Sequence, residues 1–104
     1  MPLLPTSGQV LAESEGSVVT IRLTGELDLV AGRALLDTVR HELDRGPARI
    51  DIDLVGLLAF NDDGAAALVE ARALCAGLAE ALHYRTDGGA GQDAVLAAFA
   101  DDEL

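Results

Sequence analysis

The chain has 104 residues, enough for one hydrophobic core and too few for two independently stable ones. Half of the residues are apolar and 24% are charged, a balance that excludes a disordered, collagenous or disulfide-scaffold chain. Eighteen acidic side chains against seven arginines and no lysine leave a formal charge of −11, which repels phosphate backbones and anionic lipid and argues against nucleic-acid or direct membrane binding.

Residues 1–8 carry two prolines, a threonine, a serine and a glycine before any periodicity, so they read as a loose lead-in to a single domain over 9–104. Met1-Pro2-Leu3-Leu4-Pro5 has neither the basic start nor the apolar run of a signal peptide. Gln9 to Ala12 has room for a short edge strand, and Glu15-Gly16-Ser17 has turn chemistry. Val18 to Thr24 alternates, with Val19, Ile21 and Leu23 on one face and Thr20, Arg22 and Thr24 on the other, which predicts a one-sided strand paired to the first in a hairpin. After Gly25-Glu26-Leu27-Asp28 the period becomes helical: Leu35, Leu36, Val39 and Leu43 form one stripe, opposite Asp37, Arg40, Glu42 and Asp44. Gly46-Pro47 stops that helix.

Arg49 to Leu54 alternates again, with Ile50, Ile52 and Leu54 inward and Asp51 and Asp53 outward. Val55 to Phe60 is apolar but too short for a helix, and it ends at Asn61-Asp62-Asp63-Gly64. From Ala65, the helical spacing of Leu68, Ala71, Cys75 and Leu78 predicts a helix. It ends either at Gly77, leaving Ala79 to Arg85 as a weak strand, or at Leu82. Thr86 to Gly91 reads as a glycine-rich loop, and Asp93 to Ala100 as a closing helix with Val95, Leu96 and Phe99 inward. The order β-β-α-β-α-(β)-α with half-polar strands implies an α/β fold: a small mixed sheet of about four strands with helices mainly on one face. Glu70, Arg72 and Glu80 interrupt the longest apolar stretch, so no membrane span is expected, and the expected location is the cytoplasm.

Few residues offer chemistry. A lone cysteine allows no internal disulfide, and Cys75 falls on the apolar stripe of its helix, as a buried structural cysteine does. His41 sits among polar helix positions, and neither it nor His83 has carboxylates at metal-site spacing, so no metal or cofactor is expected. Asp87-Gly88-Gly89-Ala90-Gly91 lacks the lysine and hydroxyl residue of a phosphate loop. The missing lysine also argues against a phosphoacceptor receiver domain. Asn61-Asp62-Asp63-Gly64 is the densest polar feature. A capping residue plus a carboxylate at the helix dipole accounts for one acidic side chain there, worth roughly 1 to 2 kcal/mol, and leaves a second without a structural task. The alternating ligand spacing of a calcium loop is absent.

Taken together and in order, several segments resemble a STAS domain, the fold shared by anti-sigma factor antagonists and the cytoplasmic tails of sulfate transporters. Val18 to Asp28 resembles the family's second strand and its Gly-Glu-Leu-Asp turn. Asp53-Leu54-Val55-Gly56-Leu57 is similar to its Asp-Leu-Ser-Gly-Val stretch, Asn61-Asp62-Asp63-Gly64 falls where the family has Asp-Ser-Ser-Gly or Asp-Ser-Ala-Gly, and Ala94-Val95-Leu96 resembles its last helix.

The resemblance implies a non-catalytic partner-switching protein that binds a serine-kinase anti-sigma factor and is released when the first motif serine is phosphorylated. In this chain that position is Asp62, followed by Asp63 and preceded by Asn61, and the only serines are Ser7, Ser14 and Ser17. The usual phosphoswitch therefore has no acceptor in this loop. The implied partner-binding loop comprises Asn61, Asp62, Asp63 and Gly64, with Asp28 either part of the same surface or simply the cap of the first helix. An interaction module of another assembly, such as a sensory scaffold or a lipid-transport complex, is the alternative. An enzyme using Asp51, Asp53, Asp62 or Asp63 is the contrasting class, and it would need two carboxylates in one substrate-sized cleft.

Overall fold

The structure is a computed structural model and describes residues 8–100. Met1 to Ser7, most of the expected lead-in, lie outside the described residues, as does the C-terminal Asp101 to Leu104. Gly8 already donates its backbone N–H to the Glu26 carbonyl at 2.7 Å.

β1 (Gln9–Glu15) and β2 (Val18–Leu27) form an antiparallel hairpin. Its turn places Gly16 at φ +62°, a left-handed conformation that glycine adopts without steric cost. The first half of β2 then pairs in parallel with β3 (Arg49–Asp53), and its second half with β4 (Leu57–Phe60) across a register shift at Gly25/Glu26. β5 (His83–Arg85) pairs in parallel with β3, so the mixed sheet has five strands in the order β1-β2-β3-β5 with β4 also on β2.

α1 (Leu29–Leu43), α2 (Asp62–Leu74) and α3 (Gly89–Ala98) pack beside one another against the sheet. Alternation aims Ile21, Leu23, Ile50, Ile52 and Leu54 at these helices, where they are fully buried with Leu35, Val39 and Leu68. The opposite face of β2 and β3 carries Arg22, Asp51 and Asp53. α1 and α2 approach closely because Gly32 has no side chain: a Cβ there would lie 2.9 Å from that of Ala67.

Several expectations need correction. Val55 to Phe60, read only as an apolar segment too short for a helix, contains β4, which forms on the second half of β2; four apolar residues without alternation carry no strand signal, and the pairing is non-local. α2 stops at Leu74 with Cys75 as its C-cap, short of both expected ends, and the strand before Arg85 starts only at His83. α3 starts at Gly89 rather than Asp93, so Gly89 to Gly91 is helix and not loop; Gly91 is buried where a Cβ would meet the Leu54 carbonyl at 2.5 Å. Leu96, expected inward, is an exposed hydrophobic, while Val95 and Phe99 pack against the core. Two acids expected in solvent are buried: Glu42, 3.6 Å from Arg45, and Asp53, whose Oδ1 accepts from Val55 N at 2.9 Å while Oδ2 lies 3.5 Å from Arg22.

Candidate functional site

α1 and α2 begin side by side. β2 leads into α1 and β4 into α2, and because β2 and β4 run parallel with Leu27 opposite Phe60, both helix starts emerge at the same edge of the sheet. Asp28 caps α1, its Oδ1 accepting from Ala31 N at 2.9 Å, and Asn61 caps α2, its Oδ1 accepting from Gly64 N at 2.9 Å. The Asn61 N–H donates to the Leu27 carbonyl at 3.1 Å, which ties the second helix start to the end of β2. Both caps line one shallow depression of about 170 Å³, together with Glu26, Leu27, Ala59 and Phe60.

Gly64 fits this junction because its missing side chain lets the first turn of α2 lie on Leu27. A Cβ there would overlap the Leu27 carbonyl group.

The capping task falls to Asn61, so neither acidic neighbour is needed for it. Asp62 and Asp63 are the first two residues of α2, both exposed, and their charge faces the positive end of the helix dipole. Beside them the first turn of α1 exposes Leu29 and Val30, the latter at 64%. The junction thus presents two carboxylates next to uncovered apolar side chains and a depression walled by Phe60.

Asp51 and Asp53 do not join this group. They lie on the helix-free face of β3, where Asp51 is 3.1 Å from Arg49 and Asp53 is held by Arg22. Asp51 and Asp53 line one cleft of about 360 Å³ with Arg22, Arg49 and Arg85, and neither Asp62 nor Asp63 is among its lining residues. His41 and His83 are exposed on α1 and β5, and Cys75 is buried at the end of α2 with burial pushing its thiol pKa up. Among the described residues no group of three or more His, Cys, Asp or Glu is arranged to hold a metal ion, and no helix is long and apolar enough to cross a membrane.

The family model described as Mlab, STAS domain, matches residues 10–100. The chain belongs to the STAS domain family. A crystal structure of an anti-sigma factor antagonist from Mycobacterium paratuberculosis superimposes with a TM-score of 0.76 at 20% identity, covering 97% of this chain and 86% of that one. Two crystal structures titled as analyses of Mglu, one of them in its native form, match with TM-scores of 0.62 and 0.65 at 19% and 18% identity; they cover 75% and 74% of this chain but only 19% and 23% of those longer chains. No curated protein matches the chain. At these identities the solved structures establish the fold, a mixed sheet with helices on one face, as in the antagonist.

Sequence reasoning missed a second feature of α2. At its C-terminal end Arg72, Tyr84 and Phe99 converge around a cleft. The available signal was the scarcity of aromatic residues: the chain has only Phe60, Tyr84 and Phe99, and two of the three lie there.

Proposed function

We propose that this STAS domain is a non-catalytic, cytoplasmic partner-switching regulator of the anti-sigma factor antagonist type, with a serine-kinase anti-sigma factor as the partner class and a loop fixed in the charged state. The observation that carries the reading is the division of labour at the start of α2: Asn61 makes the cap, and the carboxylates of Asp62 and Asp63 are left exposed on the helix start beside Asp28. Asp62 stands where the family resemblance puts the phosphoacceptor serine. A phosphoserine carries about −1.5 to −2 charges, and two aspartates approach that value at the same helix end. The loop therefore imitates the released form. It binds a serine-kinase anti-sigma factor built for a neutral serine weakly, and it favours a partner that presents arginine to Asp62 and Asp63.

A phosphorylation assay tests this assignment. Incubated with an anti-sigma kinase of the same cell and ATP, the natural chain should take up no phosphate in this loop, while the double variant Asp62→Ser, Asp63→Ser should be phosphorylated there. Phosphate uptake by the natural chain on Ser7, Ser14 or Ser17, with an inert double variant, would refute it.

A second reading has one observation in its favour. The matching family model is described as Mlab, STAS domain, and a STAS domain suits an interaction module in another assembly, such as a sensory scaffold or a lipid-transport complex. The same exposed helix starts would then dock a different protein.

A further inference from the structure

The two borders of the sheet differ. β5, at one border, is three residues long and offers little to a further strand. β1, at the other, runs for seven residues with β2 on one side and, among the described residues, no strand on the other. Such an edge pairs with another chain unless something blunts it. The register of β1 with β2 is unbroken from Gln9 opposite Thr24 to Glu15 opposite Val18, so no bulge turns the edge away, and the strand holds neither proline nor lysine. Its two charges are Glu13 and Glu15, and Glu13 is drawn back over the sheet, its Oε1 3.4 Å from the Arg22 guanidinium on β2. Leu11 is left 56% exposed, while Val10 and Ala12, on the helix side, pack partly buried against the core.

The strand complements itself. With the helices of both copies on one side, the apolar face of each sheet continues into that of the other, and each side chain meets a partner on its own face. An antiparallel register centred on Leu11 then sets Leu11 against Leu11 of the second copy, Val10 against Ala12, and Gln9 against Glu13, each of the last two pairs occurring twice by symmetry. Apolar meets apolar, and the Gln9 amide can donate to the Glu13 carboxylate. Centring on Val10 or Ala12 sets Leu11 against Gln9 or Glu13, and centring on Glu13 opposes two like charges.

We propose that β1 is a self-association edge, pairing antiparallel about Leu11 with β1 of a second copy of this chain to form a two-fold dimer with one continuous sheet. The dimer is weak, because a net charge of −11 on each copy opposes it and a single strand pairing buries little area. It does not use the acidic loop. The Glu26 carbonyl accepts from Gly8 on the β1 side of β2, whereas the neighbouring Leu27 carbonyl accepts from Asn61 on the opposite side, where β4 leads into α2.

Sedimentation velocity on the full chain from about 0.01 to about 0.5 mM, the range in which small interfaces associate, should show a concentration-dependent monomer–dimer equilibrium. Raising NaCl from about 0.05 to about 0.5 M should tighten it by screening the repulsion between copies. Leu11→Glu, at an exposed position, should leave Tm near that of the natural chain and weaken the dimer about tenfold or more by opposing two carboxylates. Cross-linking reads the register even if that variant fails to fold. Under mild oxidation Leu11→Cys should form an intermolecular disulfide, because directly opposed residues have Cα atoms about 4.5–5.5 Å apart. Glu13→Cys should not, since its counterpart lies roughly 13 Å along the ladder, and the natural chain, whose Cys75 is buried, is the blank. A chain that stays monomeric throughout this range, a dimer that salt weakens or that folded Leu11→Glu leaves unchanged, or equal cross-linking of Glu13→Cys and Leu11→Cys would each overturn the assignment.

Discussion

The two ends of α2 solve opposite problems. At the N-terminal end the backbone is packed without slack, with Gly64 against the Leu27 carbonyl, Asn61 bonded to both Leu27 and Gly64, and the charges of Asp62 and Asp63 left on the surface. At the C-terminal end the helix stops at Leu74, the neighbouring elements leave a mainly apolar cleft, and burial pushes the pKa of Cys75 and Tyr84 in its wall up. A rigid, charged end suits recognition of a protein surface, where position and sign of charge set partner choice.

The largest way to break this contrast is to introduce a side chain at the tight end. Gly64→Val should destabilise the domain by about 3 kcal/mol or more, because α2 must lift off Leu27 and lose the Asn61 cap together with the Asn61–Leu27 bond. Urea unfolding measures this, and a loss below that of the cap alone would mean that the helix start is not closely seated. At the other end, Ala76 is exposed at the cleft rim, so Ala76→Val should change stability within about 0.5 kcal/mol.

The next contrast is in pH. The folded state raises the pKa of Cys75 above 9.0 and of Tyr84 above 10.0, so the unfolded chain gives up these protons first. Their contribution to stability is complete below the ordinary thiol pKa and is lost as pH rises through the unfolded and then the folded values. Stability should therefore decline above about pH 9, and Cys75→Ala with Tyr84→Phe should flatten that decline. An unchanged slope in the double variant would show that these groups are not desolvated.

The smallest contrast lies within the acidic loop. Asn61→Ala should cost about 1 kcal/mol of stability through the lost cap, whereas Asp62→Asn or Asp63→Asn should each cost only about 0.3 to 1 kcal/mol through the helix dipole. If Asp62→Asn cost more than Asn61→Ala, the carboxylate would be structural after all.

These differences mark what was legible in the chain and what was not. β2, β3 and α1 announce themselves because their burial is one-sided and local: Val19, Ile21 and Leu23 alternate, and Leu35, Val39 and Leu43 recur at helical spacing. β4 was illegible because it exists by pairing with a distant stretch of β2. The start of α3 was hidden by glycines that normally mark loops, and Gly91 is there for close approach to Leu54 rather than for flexibility. Asp53 looked like a solvent-facing strand residue, but the turn after β3 needs its carboxylate for Val55 N. At the candidate site, the helix start was legible from Asn61 and the residues that follow it. The identity of the cap was not, since Asn and Asp cap about equally well and only the geometry assigns the bond to Asn61.

We propose that Asp62 and Asp63 hold the loop permanently in the form that phosphorylation would otherwise create. Calorimetric titration of an anti-sigma kinase with the natural chain and with Asp62→Ser, Asp63→Ser, each with and without ATP, tests it most directly. The natural chain should bind weakly, the serine variant more tightly, and that gain should be lost once ATP is present. Tight binding by the natural chain that ATP does not reverse would contradict it and make the protein a constitutive antagonist.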